Sequence, residues 1–333
     1  MKVAITGANG FVGAALCKYF HQAGHKIVAF GNQETPHPNL LKIAEYIKVD
    51  ITQTIPDIEA DICIHTAALS SDTDSYKSLI ISNVEGTLNV VEAAKKCSHL
   101  IHISSSSVYE FKNKPISEDD ASIHAHLSDY GETKLLAEEI MELNIPSHQK
   151  RLILRPRAIY GIGDHILLPR LLKLICGNFF LCPFKKHIQS SLTHIDNVAY
   201  AIELFLIQAN SAPLQVFNIT DDKPYFMREL ALKISSAVER HKLKLIPLNK
   251  LVLDIFLFLN SNIHIVKNIS PLVLNSLNRN AILDISRIRK ELNYRPSKNF
   301  QNSCVEIADW ISKLGGKKSY LKQLPDAPWS NPL

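Results

Sequence analysis

The sequence predicts an α/β protein, a Rossmann-type doubly wound parallel sheet followed by a smaller, mostly helical region. Three observations carry that prediction. Short β-branched or apolar runs alternate with longer helical patterns through the first 160 residues, the signature of βαβ units. A glycine-spaced loop joins the first apolar run to the first helical one, and the alternation loosens beyond Tyr160. The 333 residues are 46% hydrophobic and 21% charged, so the chain can bury a sizeable core as one large domain or two intimate ones. That balance excludes disordered, collagen-like and low-complexity readings.

Taken in order, strands are predicted at residues 2–6, 26–30, 46–49, 61–65, 100–104 and 151–155, with 215–219 as one further buried strand. Helical periodicity marks residues 11–22, 86–96 and 128–143, and then 167–176 and 195–208. Asp221-Asp222-Lys223-Pro224 ends the sheet-forming part. From 227 to 315 helices dominate, and the last stretch, with Pro325, Pro328 and Pro332, reads as a surface tail.

Composition narrows the partners. Lys plus Arg number 37 against 32 Asp plus Glu, a net +5 without any basic tract, which leaves no electrostatic footprint for nucleic acid. The six cysteines lack C-x-x-C spacing, so neither a disulfide framework nor a metal site is expected, and they read as buried thiols of a reducing compartment. Met1–Thr6 runs straight into glycine with no apolar leader, and the expected location is cytoplasmic. Residues 251–259 form the most apolar stretch, but they carry Asp254 and fall short of the roughly 20 residues of a membrane span.

Thr6-Gly7-Ala8-Asn9-Gly10-Phe11-Val12-Gly13 sits between the first strand and the first helix, with glycines at 7, 10 and 13. The first permits a tight turn, the second lets backbone approach a pyrophosphate, and the third lets helix pack on strand, while the helix N-terminus offers N–H donors. Gly7, Asn9, Gly10, Phe11, Val12 and Gly13 are therefore candidate contacts of a dinucleotide; a glycine-rich turn without a ligand is the plainer alternative. The second strand ends Phe30-Gly31-Asn32-Gln33. Asn32 stands where an acidic residue would bond the adenosine ribose of NAD, and no arginine stands beside it for a 2′-phosphate. The cofactor is read as NAD(P), with NADP favoured over NAD because no carboxylate repels that phosphate.

Asp50, before Ile51, either accepts a hydrogen bond from the adenine amino group or caps the following turn. His65-Thr66-Ala67-Ala68 ends the fourth strand in small residues that let a flat cofactor cross the sheet edge, with His65 itself read as a packed strand histidine. Of two Y-x-x-x-K spacings, Tyr294–Lys298 contains Pro296 and cannot share a helical face. Tyr130 and Lys134 lie one turn apart on a good helix. A phenol near pKa 10 works as an acid or base at neutral pH only beside a stabilising cation, which Lys134 can supply. Ser105, in the serine run that ends the fifth strand, falls at the carboxyl edge where doubly wound sheets bind ligands; alone, such a run is a polar strand cap.

Together these residues resemble the extended short-chain dehydrogenase/reductase (NAD-dependent epimerase/dehydratase) family over nearly the whole chain. The motifs are T-G-A-N-G-F-V-G at 6–13, H-T-A-A at 65–68, N-V-E-G-T at 83–87, S-S-S-S-V-Y at 104–109, Y-G-E-T-K at 130–134 and L-R-P-R-A-I-Y-G at 154–161. The resemblance implies Tyr130 as acid-base residue, Lys134 on the nicotinamide ribose and Ser105 on the reacting oxygen. Asn83 and Pro156 are further cofactor candidates, and Ser106 and Arg157 substrate candidates, with Arg157 binding a substrate carboxylate or forming an ion pair. It also implies residues 1–160 and 191–220 as the cofactor domain, 161–190 and 221–315 as the substrate region and 316–333 as a tail.

Within that family the pattern is closest to the 3β-hydroxysteroid dehydrogenase-like and 2-alkyl-3-oxoalkanoate reductase branch. Ala158 replaces the asparagine that sugar enzymes carry before the Y-G pair, and Ser106-Ser107 replaces the Asp-Glu of dehydratases. The apolar insertion 246–274 suits a greasy substrate or is simply a buried helix. An oxidoreductase acting on a secondary alcohol or ketone of an apolar small molecule is the expectation. A nucleotide-sugar 4-epimerase, a dehydratase and a non-catalytic cofactor sensor are the alternatives. The helices at 86–96 and 128–143 could form the homodimer interface common in the family.

Overall fold

The structure, a computed structural model, describes residues 1–70, 74–111, 114–125, 127–208, 212–248 and 279–330. Seven strands make the central sheet: β1 (Lys2–Thr6), β2 (Lys26–Gly31), β3 (Ala44–Lys48), β4 (Ile62–His65), β5 (His99–Ile103), β6 (Lys150–Pro156) and β7 (Leu214–Ile219). All pair in parallel, in the order β7-β6-β5-β4-β1-β2-β3. The chain runs outward from β1 to β2 and β3 and then crosses back to β4 on the other side of β1, which places the switch point of the sheet at the carboxyl end of β1.

The strands are apolar on both faces because helices cover both. Alternate residues of β1 divide between two cores. Val3 and Ile5 join α1 (Phe11–Gln22) and α4 (Ile195–Leu206) on one side. Ala4 joins Val90 and Val91 of α2 (Gly86–Ala93) and Met141 of α3 (Asp129–Glu142) on the other.

A third core, which includes Leu168, Phe180, Leu230, Ile234 and Ile307, lies among the helices α5 (Met227–Glu239) and α6 (Phe300–Lys313) and the segment after Tyr160. Asp221 ties it to the sheet. Its carboxylate, buried at the end of β7, accepts from Tyr160 Oη at 2.6 Å, Tyr225 Oη at 2.7 Å, and His194 N–H and Asn197 Nδ2 at 2.8 Å each. Burial pushes this carboxyl up and the four donors pull it back.

Three expectations are corrected here. The helix predicted over 167–176 stops at Leu172, and Ile175–Cys176 instead pairs antiparallel with Phe179–Cys182. Gly177, at φ +54, supplies the left-handed residue of the hairpin turn. That hairpin exposes Cys176, so five of the six thiols are buried and not all six.

The last stretch is no surface tail. Gly316–Lys322 is helical with Tyr320 buried, and Trp329 is 2% exposed, its indole N–H donating to Ala8 O at 3.1 Å. Pro325 follows the end of that helix, and Pro328 is buried in the turn Ala327–Trp329, so neither releases the chain. Residues 251–259, and most of the apolar insertion, lie outside the described residues. Among the described residues no helix is long and apolar enough to cross a membrane.

Candidate functional site

The glycine loop closes on itself at the end of β1. Gly7 stands at φ +71, and Gly10 N–H donates to Gly7 O at 2.9 Å. A Cβ on Gly13 would lie 2.2 Å from Gly7 O, and one on Gly7 would lie 2.7 Å from Ala67 N, so both positions exclude any side chain. Gly10 is the N-cap of α1 and brings no side chain to cap it, which leaves first-turn donors at Phe11, Val12 and Gly13 for an anion. Asn9 Oδ1 is buried without a partner, while its Nδ2 reaches Tyr46 Oη at 3.3 Å. Beyond β2, with Asn32 exposed, a cavity of about 240 Å³ is lined by Asn9, Gln33, Thr35, His37 and Trp329 among others. These features fit the pyrophosphate and adenosine end of a dinucleotide.

Around the loop the other sequence candidates have protein partners. Asp50 Oδ1 accepts from Thr52 N at 3.0 Å and Thr52 Oγ1 at 2.8 Å, a turn cap. Ile51 packs on Gly86, and its carbonyl accepts from Asn89 Nδ2 at 2.8 Å. Asn83 is buried, with Nδ2 donating to Leu69 O at 3.0 Å and Thr133 Oγ1 at 3.1 Å and Oδ1 accepting from Leu69 N at 2.8 Å. Its amide is thus spent as a brace that holds the loop after β4 against α3.

His65 bridges Thr6 Oγ1 at 2.7 Å and Thr87 Oγ1 at 3.0 Å, and burial pulls its pKa to about 3, so it stays neutral. Thr6 is the hub that sequence reasoning missed: its oxygens also meet Thr66 Oγ1 at 2.6 Å and Ala67 N at 3.4 Å. Ala68 follows, exposed, at the rim.

The serine turn and α3 meet at the corner where the sequence places the candidate catalytic residues. Ser105, extended at φ −155 and ψ 150, caps the turn Ser106–Val108: its Oγ accepts from Ser107 N at 3.1 Å and donates to Ser107 Oγ at 3.1 Å. Ser106 is buried at 2% exposure. Ser128 caps α3 through Gly131 N at 3.1 Å, and a Cβ on Gly131 would stand 2.1 Å from Ser107 O. The helix therefore lies directly on the serine turn, with half-buried Tyr130 beside the contact.

Lys134, one turn on, is 2% exposed; its Nζ donates to Ile103 O at 2.9 Å and to His102 Nε2 at 3.0 Å. Burial pulls the Lys134 pKa to about 8, opposed by the Glu138 carboxylate. Burial also pushes His102 well down, so it is neutral and accepts from the amine. His102 was not read as a site residue; a histidine inside a buried strand, two residues before the serines, was the available signal.

Behind this corner Arg155 forks onto Glu138, with Nε 3.0 Å from Oε1 and Nη2 2.5 Å from Oε2, and its Nη1 donates to Tyr109 Oη at 2.8 Å. The arginine of L-R-P and the tyrosine of V-Y are structural partners. Pro156 ends β6 opposite Ile219. Arg157 follows, its N–H held by Thr193 Oγ1 at 3.0 Å and its guanidinium 4.6 Å over the Phe111 ring. It makes no ion pair among the described residues, so the ion-pair role finds no partner there.

Comparison with known proteins identifies the family and the fold. The pattern of the NAD dependent epimerase/dehydratase family matches residues 3–220. A 2-alkyl-3-oxoalkanoate reductase of Stenotrophomonas maltophilia is 28% identical over 251 residues, 72% of this chain and 76% of that protein. A 3-beta-hydroxysteroid dehydrogenase of Mycolicibacterium neoaurum is 25% identical over 338 residues, 94% and 92% of the two chains. The solved UDP-glucuronic acid 4-epimerase of Bacillus cereus, in complex with NAD, superimposes with a TM-score of 0.72 at 22% identity, covering 94% of this chain and 99% of its own. With two thirds of its length under that family pattern and a seven-stranded parallel sheet to match, the chain belongs to the NAD dependent epimerase/dehydratase family and is an NAD-dependent enzyme of the extended short-chain dehydrogenase/reductase type.

Proposed function

We propose that this enzyme interconverts a secondary alcohol and its ketone on a largely apolar small molecule, sterol-like or 3-oxoacid-like. The observation that carries the reading is the anchorage of Lys134: its amine sits on Ile103 O, two residues before Ser105, and one helical turn beyond Tyr130. That anchorage supports a shared corner for the three side chains at the carboxyl edge of β5, next to the switch point where an open α/β sheet takes its ligand.

When bound, the nicotinamide cofactor supplies or takes the hydride. The protein does the rest. The first-turn amides of α1 and the Gly7–Gly13 loop bind the pyrophosphate. Ser105 Oγ hydrogen-bonds the substrate oxygen, and Tyr130 Oη gives that oxygen its proton in reduction or takes it in oxidation. Lys134, cationic, bonds the ribose hydroxyls and steadies the phenolate. In the reductive direction one hydride reaches carbon and one proton leaves Tyr130, which solvent then replaces.

NADP is proposed over NAD. No carboxylate stands at the end of β2 before Glu34, and that one is neutralised by an ion pair with Lys48.

Replacement Tyr130→Phe is expected to lower kcat by roughly 10²–10⁴ while cofactor affinity, read by fluorescence titration, changes little. Full turnover by that variant on a good substrate would sink the assignment. The relatives named above are a 2-alkyl-3-oxoalkanoate reductase and a 3-beta-hydroxysteroid dehydrogenase, and ketones of both classes are the first substrates to assay.

A further inference from the structure

We infer that Arg157 is the carboxylate-recognition residue of the substrate pocket, so that the enzyme takes a long-chain 3-oxo or 3-hydroxy acid and not a neutral sterol. The inference rests on the oxidoreductase reading above and chooses between its two substrate classes.

Three arginines project from β6 and the residue after it, and two are held by several protein acceptors each, although Arg151 Nη2 is buried without one. Arg151 donates to Gln149 Oε1 at 2.7 Å and to Met141 O and Leu143 O at 2.9 Å each. Arg155 is forked onto Glu138. Arg157 has only a long contact from Nε to Ser190 Oγ at 3.5 Å and the face of Phe111, and neither Nη meets a protein acceptor among the described residues. A guanidinium partly withdrawn from water favours an anion, because a ring face and one long hydroxyl contact do not replace the hydration of its N–H groups. Burial pulls its pKa down only to about 10, so the group remains charged at neutral pH.

Its placement suits a ligand. Arg157 is partly exposed at the carboxyl edge of the sheet. Ala158 after it stands at φ +44, a left-handed conformation that an alanine adopts under strain and that the Thr193 bonds to Arg157 N–H and O hold in place. Phe111 belongs to the segment that leaves the serine turn, so the guanidinium lies against that segment. Val108 and Leu283 with Phe111 give that region an apolar wall. The immediate partners Ser190, Thr193 and Phe111 add no second cation. One positive charge beside an apolar wall matches a single carboxylate on an alkyl chain better than a diphosphate.

The test uses the cofactor-loaded enzyme. Reduction of 3-oxodecanoate and of its methyl ester is compared for wild type, Arg157→Gln and Arg157→Lys, with decanoate, 1-decanol and uridine diphosphate titrated by calorimetry. Wild type is expected to favour the acid, and Arg157→Gln to lower the acid-to-ester ratio of kcat/KM by roughly 30-fold, with partial recovery in Arg157→Lys. Decanoate is expected to bind more tightly than decanol, and only while Arg157 is present. Equal use of acid and ester by wild type, or an equal loss of both in Arg157→Gln, overturns the inference. So does Arg157-dependent binding of uridine diphosphate without binding of decanoate, which would make the residue a diphosphate site. Because decanoate binding needs no turnover, it decides the role of Arg157 even if Tyr130→Phe shows the redox reading to be wrong.

Discussion

Lys134 holds a charge in a place that water does not reach, and that leaves a mark on stability. Its pKa falls from 10.5 to about 8 in the folded protein. Between those two values the unfolded chain binds the extra proton, so the stability of the cofactor-free protein contributed by this group rises with pH across that window. Below about pH 8 the full cost of the buried ammonium is present. Replacement Lys134→Met should therefore stabilise the apo-protein most near neutral pH, by an amount that shrinks toward about pH 9.5. Urea titrations of both proteins at the two pH values check this, and a pH-independent difference would show that the amine titrates as if in water. Glu138 poses the converse case. Its two oxygens hold buried Arg155, so Glu138→Gln keeps the shape and strands the cation, for a loss of about 3 kcal/mol read as a drop in Tm of roughly 5 °C.

At the scale of elements, the glycine loop separates folding from binding. Gly13 has Gly7 O within 2.2 Å of a would-be Cβ, whereas Gly10 has only Gly7 O at 3.3 Å. Gly13→Ala must push α1 off β1 and should cost several kcal/mol, about the range of overpacked cores. Gly10→Ala should fold with a Tm within a few degrees of wild type and lose cofactor affinity by about tenfold or more, because its methyl group would stand where the loop is proposed to meet the pyrophosphate. Differential scanning fluorimetry with and without cofactor separates the two.

The same scale shows where pattern reading succeeds. Helix α3, with Tyr130 and Lys134 on one face, followed from periodicity and spacing, since both are local properties. The hairpin at Ile175–Cys176 and Phe179–Cys182 did not, because a short apolar run bends into a strand only when Gly177 and a distant partner, here Lys244–Pro247, make that the better-bonded state.

Across the whole molecule the C-terminal segment returns to the first βα turn. Trp329 donates to Ala8 O at 3.1 Å, Lys18 Nζ donates to Pro328 O at 2.9 Å, and Asn39 Nδ2 donates to Trp329 O at 2.9 Å. Trp329→Ala removes a buried ring for about 3–5 kcal/mol. It should also weaken cofactor binding, since the indole backs the glycine loop and lines the cavity beyond β2. Thermal melts and cofactor titration of that variant check both, and a destabilised protein with unchanged cofactor affinity would confine the tryptophan to packing.

By itself, the sequence determined the alternation of strands and helices, the glycine loop and the Tyr130–Lys134 face, because each depends on residues close enough to set one another's backbone geometry. Tertiary structure alone decided which polar side chains are already spent. It gave Asn83 to Leu69 and Thr133, and Arg155 to Glu138. It carried Trp329 across the chain to Ala8, and left Arg157 without a counter-ion among the described residues. Hydrogen bonds and burial between residues tens or hundreds of positions apart have no local signature, since the free energy that fixes them arises only once both partners have left water.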